Sequence, residues 1–169
     1  MNKAGTMSTD EFHEQDKEQI EQILEASRFC SDILGKRNAA PQGLSNSLLL
    51  ATSFLRYNKW DKVRTYTTQS QRSCEKADKE LFEISLRRVK LLKRAEALSE
   101  MVDFVQPEHQ ISEIESLLLS GNYLEAGSLL QKLESDLLKT VETRWLELVE
   151  DTEDMIYSSR TDGISLYSS

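Results

Sequence analysis

The chain has 169 residues, is 38% apolar and 30% charged, and carries a formal charge of −8, room for one ordinary domain or a short array of helical hairpins. Its longest uninterrupted apolar run, residues 48–51, excludes a membrane span and the apolar core of a signal peptide, so the protein is expected to be soluble and cytoplasmic. Two cysteines, Cys30 and Cys74, form no closely spaced pair; they are expected as buried free thiols in a reducing compartment, the alternative being one disulfide between two helices.

No stretch alternates apolar and polar residues as a strand would, and Gly and Pro fall almost entirely between periodic segments, with Gly127 as the exception. The fold class is therefore all-α. Residues 1–7 read as a flexible lead-in. Ser8 followed by Glu11 has the spacing of a capping box, which places a helix start at residue 8. The first helix then runs to about Leu34, with Ile20, Ile23, Ser27, Cys30 and Leu34 on one seam, and Gly35 and Pro41 mark its end and a connection. A second helix spans residues 44–56, and Tyr57, Asn58 and Lys59 turn the chain into the third.

That third segment, residues 60–105, organises the rest. Trp60, Val63, Thr67, Ser70, Cys74, Ala77, Leu81, Ile84, Arg88, Leu91, Ala95, Leu98, Val102 and Val105 alternate in steps of three and four, a heptad seam. As one helix it would be about 70 Å long at 1.5 Å per residue. Thr67 and Ser70 weaken its first half, which predicts that this half packs within its own hairpin. The second half, with Arg88, then faces a partner or a second repeat, and a break between Ser70 and Ala77 would divide the two.

A fourth helix opens at Pro107 and ends at Ser120, Gly121 and Asn122. The fifth carries Tyr123, Ala126, Leu130, Leu133 and Leu137 in heptad spacing, then Val141, Trp145, Leu148, Thr152 and Met155. Three successive spacings of four form a stutter there, which rotates the seam toward a new neighbour. Trp60, Tyr123 and Trp145 are read as packing anchors. Serine-rich residues 158–169 lack any period and are expected to be a disordered tail. The expected architecture is an elongated bundle or helical-hairpin repeat of about five helices, two of them long, within one domain at residues 8–157, with coiled-coil-like packing.

An offset of 63 places Phe54 on Leu117, Leu55 on Leu118, Asn58 on Gly121, Trp60 on Tyr123 and Val63 on Ala126, dividing the chain into repeats at 44–106 and 107–157. The stretch Leu119, Ser120, Gly121, Asn122, Tyr123, Leu124, Glu125, Ala126 resembles the glycine, aromatic and alanine turn of tetratricopeptide-type repeats, and Trp60 echoes it loosely. The resemblance covers about a dozen residues, and the chain departs from that family in period and in the length of its second helices. It implies a superhelical surface that binds another protein rather than a catalytic cleft.

Charge is segregated. Residues 55–94 hold twelve basic and five acidic side chains, net +7, whereas residues 95–157 hold three basic and fifteen acidic, net −12. Such asymmetry suits two packed helices that fix each other's orientation. Arg87, Arg88, Lys90, Lys93 and Arg94 form the densest basic stretch, a candidate partner-binding stripe for an acidic protein segment or for nucleic-acid phosphates. The acidic total and the lack of a nucleic-acid-binding motif favour protein. Arg88 stands on the seam itself, where a charge needs a partner or an exit to water.

Neither His13 nor His109 has a second ligand at metal spacing, and no phosphate loop, nucleophile elbow or zinc motif occurs. Glu150, Asp151, Glu153 and Asp154 read as a solvated face. No catalytic residue, metal or cofactor is assigned. The expectation is a non-enzymatic scaffold or adaptor whose long helices bind a protein partner or a second copy; the alternative is a nucleic-acid-associated regulator using residues 87–94.

Overall fold

The computed structural model describes residues 12–99 and 108–165. They form five helices: α1 (Glu14–Lys36), α2 (Leu44–Arg56), α3 (Trp60–Ser99), α4 (Glu108–Ser120) and α5 (Tyr123–Ser165), with no strand among the described residues. The protein is an all-helical bundle with two long helices. In it α1 and α2 pack on α3, α4 packs on α5, and α3 meets α5.

Two helix ends differ from those expected. The α1 helix begins at Glu14, after an extended His13 (φ −63°, ψ 151°) whose carbonyl accepts the Asp16 and Lys17 N–H groups at 3.0 and 3.1 Å. Glu14 and Asp16 supply the acidic first turn that a helix N-terminus favours. The capping pair Ser8 and Glu11, and the lead-in at 1–7, lie outside the described residues. At the other end, α5 continues through residues 158–165, which the serine-rich composition assigned to a tail. A helix needs only its backbone hydrogen bonds, so a stretch without an apolar period is not thereby excluded from one. Residues 166–169, and residues 100–107 with Val102 and Val105 of the long seam, also lie outside the described residues.

The seam of α3 explains its polar positions. Val63, Thr67, Ser70 and Cys74 are buried on the half of α3 that precedes the corner, and on α1, which packs on α3, Ala26, Ser27 and Cys30 are buried too. These small side chains let the two helices approach closely, and the Cys74 thiol lies 3.6 Å from the Ser27 carbonyl. The hydroxyls of Ser27 and Ser70 donate to carbonyls four residues back, at 2.8 and 2.9 Å, so burial leaves neither unsatisfied. Both cysteines are free. The neighbouring Cys74, then burial, push the Cys30 thiol far above its ordinary pKa and keep it protonated.

The seam does not run straight. Asp78 is extended (φ −160°, ψ 95°) and divides α3 into two helical halves, one residue beyond the interval the sequence suggested. Its carboxylate caps the second half, accepting the Leu81 N–H at 3.0 Å. Ala77, a seam position by spacing, is exposed at this corner. Beyond it, Leu81, Ile84, Leu91 and Ala95 share the core with Ile114 and Leu118 of α4 and with Ala126, Leu130, Leu133 and Leu137 of α5.

The α2–α3 and α4–α5 turns share one hydrogen-bond pattern at the offset of 63. Lys59 N–H bonds to the Phe54 carbonyl and Asn122 N–H to that of Leu117, at 3.1 and 2.9 Å. The Asn58 and Gly121 N–H groups bond three residues back, to Leu55 and Leu118, and both residues have left-handed backbone (φ 55° and 79°). Val63 and Ala126 are both fully buried at the start of the helix that follows.

Candidate functional site

Of the basic stretch 87–94, Arg87, Lys90, Lys93 and Arg94 fall within about 120° of the α3 circumference at about 100° per residue, and Arg88 stands apart from them. Arg87 reaches α5, with Nη2 3.2 Å from Glu134 Oε2, so the basic helix and the acidic helix do meet through an ion pair. Arg88 points the other way. Its guanidinium lies 4.1 Å from the centroid of the Phe29 ring, and its Nε is buried with no hydrogen-bond partner. Burial lowers its pKa, with the Glu115 carboxylate pulling in the opposite direction. Lys90 and Arg94 are exposed and Lys93 is half-buried. Arg88 alone of the five is thus engaged inside the bundle; Arg87 pairs with Glu134 at its surface, and Lys90 and Arg94 face solvent.

A second polar cluster ties the two hairpins together. Arg37, just past α1, donates from Nε to the Leu119 carbonyl at 3.1 Å and from Nη1 to the Tyr123 hydroxyl at 2.6 Å. That hydroxyl donates to Asp78, whose carboxylate also lies 3.9 Å from Arg37 Nη1. The α3 corner, the α4–α5 turn and the end of α1 therefore share one network. Burial raises the Tyr123 pKa and the bond to Asp78 adds to it, while Arg37 opposes both. This is a structural junction: every member is engaged with another, and Arg37 fills the space beside Gly121, where an added Cβ would stand 3.7 Å from its Nη2.

The exposed apolar surface lies elsewhere, on α5 beyond Leu137. Every residue from 138 to 158 is exposed. Leu138, Val141, Trp145, Leu148, Val149 and Met155 are large apolar side chains among them, Trp145 at 67% and Met155 at 73% relative exposure. At about 100° per residue these positions and Thr152 fall within about 120° of the helix circumference, the width of a core-facing stripe. The sequence pattern anticipates this stripe and its rotation by the stutter, since each spacing of four carries it about 40° past a full turn. What the pattern misses is that, among the described residues, no helix lies against it.

Trp145 is accordingly not a packing anchor, in contrast to the sequence-based reading. Trp60 is half-buried, with Lys17 Nζ 5.6 Å from its ring centroid, and Tyr123 is held in the junction. His13 and His109 are exposed. Among the described residues no group of three or more His, Cys, Asp or Glu side chains converges as a metal site, and no helix is long and apolar enough to cross a membrane. An open groove between α1 and α2 is lined by Arg28, Ser31, Asp32, Gly35, Lys36 and Leu48. The ion pair on its wall, Lys36 with Asp32 at 2.8 Å, is an ordinary one-turn helix pair.

Comparison with protein-family models, with curated proteins and with solved structures finds no match to this chain.

Proposed function

We propose that the protein is a non-enzymatic helical scaffold that docks a partner protein along the distal part of α5. One observation carries the reading: a stripe of large apolar side chains from Leu138 to Met155 is exposed on a helix that has already left the bundle core. Exposing such a stripe is unfavourable by roughly 25 cal/mol per Å² of apolar surface, and a helix laid against it recovers that energy. The matching turns at Asn58 and Gly121 support reading the two hairpins as repeats of the tetratricopeptide-like kind, whose use is protein binding. Lys90 and Arg94 are available to an acidic segment of the same partner. We place the protein in the cytoplasm, where two free, buried thiols stay reduced.

The test is site-specific crosslinking. A photoreactive residue at position 149 of the full chain, in the native source, should give a discrete crosslinked protein that disappears in Leu148→Glu. Crosslinks that survive Leu148→Glu unchanged, or none at 149 while Lys90 crosslinks strongly, would move the docking surface away from α5.

A further inference from the structure

We infer that the occupant of the distal α5 face is a cationic amphipathic helix of another protein; this rests on the docking reading above and specifies its partner. The stripe has one acidic edge and lies on an acidic segment. Glu142 and Glu153 flank one edge, Asp151 stands beside Arg144 on the other, and residues 138–158 have a net charge of −4. A helix that presents an apolar stripe edged with Lys or Arg meets both features at once.

The chain already contains one such pairing. The proximal part of α5 buries Leu130, Leu133 and Leu137 with the second half of α3, the basic half, and Arg87 pairs there with Glu134. Glu134 stands one helical turn before Leu138, in line with the start of the exposed stripe. Distal α5 thus continues, with more acid and with no cover among the described residues, a surface whose first part is covered by a basic amphipathic helix.

A second copy of the chain fits less well. Pairing distal α5 with itself brings together two faces of net −4. Pairing it with the basic outer face of α3 supplies charge without apolar surface, because Ala77 and Ala97 are the only apolar residues at exposed α3 positions. The stripe from Leu138 to Met155 is about 25 Å long at 1.5 Å per residue, which calls for about five turns of partner helix.

Two synthetic peptides of 21 residues, with identical Leu and Ile at the heptad core positions and either Lys or Glu at the flanking ones, provide the probe. They are titrated into the full chain carrying Trp60→Phe, so that Trp145 alone reports, with sedimentation run in parallel. The expected result is one-to-one binding of the Lys peptide, with a blue shift of Trp145 emission. It should be at least tenfold tighter than for the Glu peptide, weaker in high salt, and lost in Leu148→Glu with helix content unchanged. Equal binding of both peptides, preference for the Glu peptide, or a concentration-dependent dimer that excludes the Lys peptide would overturn it. If position 149 still crosslinks a protein while the Lys peptide shows no preference, the charge assignment alone fails. If the crosslink is absent as well, the docking reading fails with it.

Discussion

At the scale of single residues, two buried or half-buried cations do different work. Arg37 is paid for by partners on every side but one: a carbonyl, a hydroxyl and a carboxylate hold it against the Tyr123 ring, 5.3 Å from its centroid. Removing the hydroxyl in Tyr123→Phe should cost about 1–2 kcal/mol in urea unfolding, because Asp78 and Arg37 each lose a bond in a half-buried site. The pH dependence follows from the raised Tyr123 pKa. The neutral phenol is favoured in the folded state, so its contribution is complete below the unfolded pKa near 10 and is lost as pH rises through the higher folded value. Stability above pH 10 should therefore fall more gently in Tyr123→Phe than in the parent. Arg88, by contrast, has Phe29 beneath it and an unsatisfied Nε. Arg88→Met keeps the packing and removes the desolvated charge, so it should leave stability within about 1 kcal/mol or raise it. Arg88→Ala should lose about 1–3 kcal/mol, because the aliphatic stem packs as well as the charge. Paired denaturation curves decide between these outcomes.

At the scale of elements, the helices were legible wherever a seam was buried. The α2 bounds match residue for residue, since Gly43 and Asn58 punctuate an apolar run on both sides. The corner of α3 was harder to place. Spacings of three and four pass through Cys74, Ala77 and Leu81 without a slip, and periodicity records spacing rather than direction. The readable cue is Asp78 itself, three residues ahead of Leu81, where a helix N-cap belongs. The two turns yield a direct test of their equivalence. Asn58 and Gly121 both have positive φ, so Asn58→Ala and Gly121→Ala should each cost about 1 kcal/mol, measured as shifts in the urea midpoint. Costs that differ several-fold would show that the shared hydrogen bonds conceal unlike turns.

At the scale of the whole molecule, the bundle core ends before its last helix does. Between Leu137 and Ser158 no residue of α5 is buried, and the stripe in that interval contributes nothing to the core. Leu148→Glu should therefore leave the unfolding free energy within about 0.5 kcal/mol of the parent, as surface substitutions do, while abolishing partner binding. A large loss of stability in calorimetry would mean that the face packs within the chain after all. The basic stretch 87–94 illustrates the same dependence on context. Five cations within eight residues look like one patch in the sequence; four of them share one side of α3, where Arg87 pairs with Glu134, while packing turns Arg88 onto Phe29.

By itself the sequence determined the helical class, the seams, the stutter after Leu133 and the left-handed turns, because each depends on residues within one or two turns of one another. The tertiary structure alone decided which seams are covered. Ala126 to Leu137 and Val141 to Met155 are similar runs on one helix, and the difference between core and docking face is set by where α3 and α4 pack against α5, which no local pattern records.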